Sequence, residues 1–323
     1  MKSFDVSYSR RSNIYTLHTG GPLGDITFDR AAVLADTAGC TGRRLIASAA
    51  LICFTVNTHA AMKARGIPYN AIEATSAIYV GKNRDGQTRL VRDVINTVVD
   101  LAPGQEEAFE QVRKVMSKGC HMGAAINDGF PTNMTITPVL SEGLTPQDNR
   151  PASAFAKAEP KPAPAPSAGL AAAPVAAPAH LTNSGPRPVV VTTRRVGDIQ
   201  EVVLGGAVGA ITLDFANLPK KDLGIPAQLL GLSSLFCTCG SVGNALTAQG
   251  VAFGDVTARG SFTVGPNASG AVRILKGEVS IEVAIEKKDL DGFAKMTKAV
   301  AHASHIIESL NEGIAMEYGL AAK

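Results

Sequence analysis

An internal repeat constrains this chain more than any other feature of its sequence. Residues 187–323, moved back by 184 positions, align with residues 3–139, with one small adjustment near the N-terminal ends. The alignment pairs Cys53 with Cys237. A repeat of about 135 residues is too long for a solenoid unit and has the size of a domain. We therefore predict two copies of one fold, able to do in one polypeptide what a homodimer does with two.

A segment rich in alanine and proline separates the two copies. We place it at residues 143–187, which leaves predicted domains at residues 1–142 and 188–323. Alternating Ala and Pro cannot form a helix interior and buries little surface, so we expect an extended tether. A passive spacer is the favoured interpretation, and a docking motif for a partner is the alternative.

Composition indicates a soluble globular chain without a nucleic-acid or membrane partner. Of the 323 residues, 45% are hydrophobic and 18% charged, with a net charge of +3. The basic residues do not cluster, and the scarcity of aromatic residues disfavours a stacking platform for single strands. The longest apolar stretch, Leu45–Val56, is too short to span a bilayer. Five cysteines without an apolar signal segment predict a reducing, cytoplasmic location.

Each copy has the same predicted order of elements: strands, a long helix, a hairpin, a second helix and a closing strand. In the first copy, the long helix spans about residues 43–65 and ends at Gly66. The hairpin joins Ile72–Val80 to Gln87–Val99 through an Asp-Gly turn, and a charged amphipathic helix covers residues 104–119. This order predicts an α+β fold rather than a parallel α/β sheet.

The cysteines are the candidates for chemistry. Cys53 lies in the long apolar helix and recurs in the second copy, although an alanine would fill the same core position. Cys120 lies at a predicted helix-to-loop boundary, where a thiol is both reachable and tunable. Such a pair suits a peroxidatic and a resolving thiol, because a sulfenic acid on one condenses with the other to a disulfide. The alternative is that a buried helical cysteine simply fills the core.

The second copy cannot repeat this chemistry, because Ser304 stands at the position of Cys120. Cys239 follows Cys237 by two residues, so the two thiols point to different sides of a helix. Cys40 has no counterpart in the second copy, and we interpret it as incidental. Four ligands with recognisable spacing are not present, so we expect neither a metal nor a cofactor.

Two histidines and two pairs of arginines also recur. His121 and His305 follow the second thiol position, where they could supply a proton, lower the pKa of a thiolate or cap the preceding helix. The paired arginines of the N-terminal strands could bind an anionic substrate or could be solvated surface residues. In the sequence alignment these are Arg10 and Arg11 in the first copy, and Arg194 and Arg195 in the second.

This layout resembles the OsmC/Ohr family of thiol-dependent peroxidases. The resemblance lies in a cysteine deep in a long central helix, a second cysteine after the hairpin and second helix, and the order of elements. The family's proline-led helix start is visible at residues 226–230, before Cys237. The resemblance implies two tandem OsmC-like domains, each an antiparallel-rich sheet packed with a long central helix and a second helix. It further implies a pseudo-twofold dimer inside one chain, with active sites between its halves.

One feature of the family is missing. Its peroxidases pair the reactive thiolate with an arginine from the N-terminal strands, a part that Arg10 or Arg11 could play, and with a glutamate at the start of the central helix. At the glutamate position the first copy has Arg43 and Arg44, and the second has an Ala-Gln pair. The activating arginine would therefore lack its usual ion pair.

Three functional hypotheses stay open. The first is a peroxidase that reduces organic hydroperoxides between the two domains, with Cys53 attacking, Cys120 resolving and a dithiol as a candidate reductant. The second, favoured by the missing glutamate, is a cysteine hydrolase or transferase on an anionic or carbonyl small molecule, handled by Arg43, Arg44 or His121. The third is a non-catalytic, ligand-binding pseudo-dimer. In each case the fused chains could dimerise again.

Overall fold

The computed structural model describes residues 2–21, 23–35, 41–129, 132–140, 188–218, 224–300, 304–313 and 315–322. Cys40 and the predicted linker lie outside the described residues, and the predicted domain boundaries stay a prediction.

The first half of the chain forms strands and helices in the expected order. Its long helix and its hairpin lie within a few residues of their predicted bounds. Its strands are β1 (Lys2–Arg11), β2 (Ile14–His18), β3 (Asp25–Asp29), β4 (Tyr69–Lys82), β5 (Thr88–Leu101) and β6 (Thr132–Leu140). Its helices are α1 (Arg30–Ala35), α2 (Thr41–Lys63), α3 (Glu106–Met116) and α4 (His121–Asp128).

The second half supplies an equivalent set of elements. A short 3-10 turn at Lys287–Asp289 precedes its amphipathic helix. Its strands are β7 (Val189–Val196), β8 (Ile199–Gly205), β9 (Gly209–Asp214), β10 (Phe253–Pro266), β11 (Val272–Ile285) and β12 (Ala315–Ala322). Its helices are α5 (Gly224–Ala248), α6 (Leu290–Val300) and α7 (His305–Glu312).

Each of the two sheets is built from both halves. The first sheet has the order β3-β2-β1-β10-β11-β6, and the second has the equivalent order β9-β8-β7-β4-β5-β12. The N-terminal strands of one half therefore pair, antiparallel, with the hairpin of the other half. The closing strands β6 and β12 lie parallel to the hairpins of the opposite halves. The α+β class is confirmed, and the structure adds that the sheets are shared rather than one to each half.

The strand register refines the alignment of the arginines. Val256 pairs with Arg10 in the first sheet, and its repeat partner Ile72 pairs with Arg195 in the second. Arg10 and Arg195 are therefore equivalent, one residue away from the pairing that the sequence alignment gave. Because side chains alternate between the faces of a strand, both of these arginines are buried while Arg11 and Arg194 are exposed.

The two long helices lie between the sheets and pack on each other. Helix α2 packs on β4, β7 and β8 of the second sheet, and α5 packs on β1 and β10 of the first. The hydroxyl of Ser233 in α5 donates to the carbonyl of Gly42 in α2 at 2.7 Å. A Cβ at Gly42 would lie 2.8 Å from Ile306 and 3.2 Å from the Ser233 carbonyl, so this close approach requires glycine.

Both long helices are apolar over most of their length. By length and composition alone either could cross a membrane, but 72% of the most apolar stretch of each is buried inside the fold. The apolar surface of α2 and α5 is thus used in packing against the sheets and against each other.

The shared sheets predict that neither half is a folded monomer. Residues 1–142 alone would leave β1 without β10 and β4 without β7, and would expose the buried face of α2. We expect either half to be unfolded or self-associated when expressed alone, and the two halves to form a 1:1 complex when co-expressed. Native mass spectrometry and thermal denaturation test this, and a cooperatively folded monomer of one half would contradict it.

Candidate active site

A cavity of about 340 Å³ opens beside Cys53 at the boundary between the two halves. Helices α2 and α4 of the first half form one side of it. The other side of the cavity belongs to the second half and consists of the segment after β9, the start of α5 and the β10–β11 hairpin. Its wall is mainly apolar and includes Val56, Met122, Ala125, Phe215, Ile225 and Ile274.

Cys120 lies close to Cys53, behind the cavity wall, because a short helix follows it. Gly119, with φ of 78°, ends the turn after α3 and redirects the chain. Cys120 then takes an extended conformation and becomes the N-cap of α4, where its Sγ accepts the N–H of Gly123 at 3.3 Å. The sequence did not reveal this helix. His121 is its first residue and not a cap of the preceding helix, and its exposed side chain lines the cavity.

The two predicted thiols of the first half are close enough for each to shift the pKa of the other, and the Cys120 Sγ donates at 3.9 Å to the carbonyl of Ala50, three residues before Cys53. Cys53 is 9% exposed and Cys120 is 5% exposed. The thiol of Cys120 is the main cause that lowers the pKa of Cys53. Burial opposes it, and the backbone N–H of Met122, the Asn57 side chain and the backbone N–H of His121 lower the pKa of Cys53 further.

The same contact has the opposite effect on Cys120. Its hydrogen bond to Cys53 and its burial raise the pKa of Cys120 well above the usual value. Of the two thiols, Cys53 is therefore the one that ionises first, while Cys120 keeps its proton to higher pH. This order of ionisation suits a nucleophilic Cys53 beside a neutral Cys120.

The arginines of the N-terminal strands do not line the cavity beside Cys53. The guanidinium of Arg10 lies over the rings of Tyr15 and Phe253, 5.5 and 5.4 Å from their centroids. Arg195 stacks at 4.4 Å on Phe215, so it lies behind one wall of the cavity rather than in it. The exposed Arg11 and Arg194 do not line the cavity either, and the Nε of Arg194 is 3.5 Å from the Glu73 carboxylate.

The arginines at the start of α2 face the second half. Arg44 donates to the carbonyl of Leu204 at 2.7 Å, and Arg43 lies close enough to His305 to lower the pKa of its ring. The helix start beside Cys53 is instead that of α5, where Ala227 stands. Each long helix thus begins beside the cysteine of the other half, and the start beside Cys53 carries no charge.

The cation that does line the cavity is Arg273 of β11, which the sequence analysis did not single out. Its Nε lies 3.2 Å from a carboxylate oxygen of Asp128, at the end of α4. The repeat partners form the same pair in the second half, where Arg89 lies 3.1 Å from Glu312. The recurrence of an arginine and an acid at matched positions was the signal that could have revealed this pair.

The second half keeps the helix cap and loses the second sulfur. Ser304 caps α7 by accepting the N–H of Ile307 at 3.4 Å, and it accepts the Thr238 hydroxyl at 2.9 Å. Partial burial and the charges of Arg89, Arg43 and Lys82 lower the pKa of His305. Cys237 is half-buried, whereas Cys239 is fully buried and burial raises its pKa.

The described residues contain no group of three or more His, Cys, Asp or Glu side chains placed to hold a metal ion.

Substitution of Cys120 tests its cap and its contact with Cys53. Cys120→Ala removes both, so we expect the pKa of Cys53 to rise by about one unit and the stability to fall by about 1 kcal/mol. Cys120→Ser keeps a hydroxyl donor and a cap, as Ser304 does, so both quantities should change little. Ser304→Ala is the matched control, which should lower stability without altering Cys53. Iodoacetamide alkylation against pH and thermal denaturation measure the two effects, and an unchanged Cys53 profile in Cys120→Ala would contradict the assignment.

Comparison with known proteins gives likenesses among solved structures only. No protein-family model matches the chain, and no curated protein matches its sequence. Among solved structures the chain is similar to an OsmC-like protein of unknown function from Vibrio cholerae, with 12% identity and a TM-score of 0.33. The match covers 39% of this chain and 94% of that one. The chemistry of the site is argued from this chain's own side chains.

Proposed function

We propose that this protein is a cysteine-dependent peroxidase that reduces organic hydroperoxides, with Cys53 as the attacking thiolate and Cys120 as the resolving thiol. The observation that carries the proposal is the pairing of Cys53, a thiol of lowered pKa in the wall of an apolar cavity, with Cys120, a neighbouring thiol of raised pKa. An isolated nucleophilic cysteine would not need a second thiol held against it.

The first step uses the charge on Cys53. The Cys53 thiolate attacks the terminal oxygen of a hydroperoxide ROOH, the O–O bond breaks, and the leaving alkoxide takes a proton to become the alcohol ROH. Cys53 is thereby oxidised to a sulfenic acid. The apolar walls of the cavity favour an organic group R over hydrogen peroxide, because they offer R a surface removed from water.

The second step uses the proton on Cys120. Once Cys53 has become a neutral sulfenic acid, the negative charge that raised the pKa of Cys120 is gone. Cys120 then loses its proton, its sulfur attacks the Cys53 sulfur, and water leaves as the disulfide forms. An external dithiol, becoming a disulfide itself, would return both cysteines to thiols, and the reducing cytoplasm is the compartment that supplies one.

The second half acts as the partner that completes this site. It supplies Phe215, the start of α5 and Arg273 to the cavity beside Cys53. With Ser304 in place of the second thiol, it has no equivalent disulfide of its own. Because of this asymmetry, we expect the chain to have one redox-active site although it has two copies of the fold.

A cysteine hydrolase is the second candidate, and one observation favours it. Arg273 and His121 line the cavity with Cys53, and a cation, a base and a thiolate are what hydrolysis of an anionic carbonyl compound requires. In that reaction Cys120 would be dispensable, which separates the two candidates.

A stoichiometric pulse of cumene hydroperoxide tests the proposal. In the reduced protein we expect loss of two protons, located by peptide mapping to a Cys53–Cys120 disulfide. Cys53→Ser should abolish the reaction, and Cys120→Ser should stop after one turnover with a sulfenic acid on Cys53. Cys237→Ser is the matched control from the second half and should react like the wild type. Slow oxidation spread over several thiols would contradict the peroxidase proposal.

A further inference from the structure

Asn57 lies beside the Cys53 sulfur and has no role in the reaction steps described above. It lies one helical turn after Cys53 in α2, and its half-buried side chain lines the cavity. Its Nδ2 donates to the Cys53 carbonyl oxygen at 2.7 Å and to the Cys53 Sγ at 3.5 Å. The two hydrogens of one amide nitrogen thus serve two acceptors of the same residue.

The carbonyl contact explains why the amide points at the sulfur. A side chain anchored to the carbonyl four residues earlier has little freedom to turn away. Thr55 and Thr58 make the same backbone contact in this helix, to Leu51 and Phe54 at 3.0 and 2.9 Å. A hydroxyl has only one hydrogen, however, so a serine or threonine that donates to the carbonyl has none left for the sulfur.

The surroundings of Cys53 explain why a neutral donor matters for the stability of its thiolate form. Arg273, the cation that lines the cavity, already pairs with Asp128, and Arg195 lies behind Phe215. The groups that contact the Cys53 sulfur are a thiol, backbone N–H groups and this amide, all of them uncharged donors. A thiolate in such a site depends on its hydrogen bonds, because a donor to the charged form favours that form.

We propose that Asn57 is a catalytic residue of this site, a neutral donor that holds the negative charge on the Cys53 sulfur and directs that sulfur into the cavity. The role in peroxide reduction rests on the proposed function, whereas the stabilisation of the thiolate does not. As the sulfur attacks the O–O bond, its charge passes to the leaving alkoxide. Asn57 neither gains nor loses a proton in the cycle.

The second half provides the matching substitution. Ser241 is the repeat partner of Asn57, as Cys237 is of Cys53. Asn57→Ser therefore places in the first half the residue that the second half carries. It keeps a donor for the Cys53 carbonyl and withdraws the donor from the sulfur, so it separates a role in helix stability from a role in thiolate chemistry.

The test is the pH dependence of Cys53 alkylation by iodoacetamide in the reduced full-length chain, with each cysteine followed by peptide mass spectrometry. In Asn57→Ser and Asn57→Ala we expect the midpoint to rise by about one pH unit, which slows alkylation below the midpoint about tenfold. Asn57→Asp should raise it further, because a carboxylate would stand beside the thiolate. Ser241→Ala is the control and should leave the Cys53 midpoint unchanged.

The outcomes distinguish this inference from the proposed function. If Asn57→Ser keeps the wild-type midpoint, Asn57 serves only the helix and the inference is overturned. If the midpoint shifts and the rate of disulfide formation with cumene hydroperoxide falls by the same factor, both proposals are supported. If the midpoint shifts but the wild-type protein forms no disulfide, the thiolate donor stands and the peroxidase assignment fails.

Discussion

The hydrogen bonds between strands of opposite halves, β1 with β10 and β4 with β7, are the constraint on which the rest of the molecule depends. They join each set of N-terminal strands to the hairpin of the other half and so place the two long helices against each other. Because of this exchange, the start of α5 and the β11 arginine reach the cysteine of α2. The cavity beside Cys53 therefore exists only in the assembled pair of halves.

Two halves joined in one chain need not be identical. In this protein they differ in the polar groups around each cysteine. The first half holds a thiol at the cap of α4 and an amide beside the reactive sulfur. The second half has hydroxyl residues, Ser304 and Ser241, at the corresponding positions. The cap geometry survives because both a sulfur and a hydroxyl can accept a helix N–H. The proposed disulfide chemistry has no equivalent in the second half, because it needs the sulfur.

The sequence predicted the order of the main elements, since this depends on long periodic segments and on the repeat. It did not predict α4, an eight-residue helix too short for a periodic pattern, although that helix delivers Cys120 to the site. Nor could it tell which hairpin each strand joins, because a repeat presents identical local patterns within and between its copies. The sequence alignment also paired Arg10 with Arg194, one residue away from its structural equivalent Arg195. Only the register of the strands determines this pairing.

Asn57 and Arg273 were missed for a different reason. An asparagine in an apolar helix and an arginine after a hairpin turn are common residues. The i,i+4 spacing places Asn57 near Cys53, but it does not show that the amide donates to the sulfur. Arg273 and Asp128 are distant in the chain, and only the recurrence of the pair in the second half pointed to their contact.

The central claim is that Cys53 and Cys120 act as one two-electron pair. The most direct measurement is the number of thiols lost per hydroperoxide, by rapid mixing and quench, in a variant that retains only these two cysteines. The account predicts two thiols lost and one alcohol formed for each hydroperoxide consumed, at a rate that follows the ionisation of Cys53. Loss of a single thiol, or no loss on the timescale of alcohol formation, would contradict it.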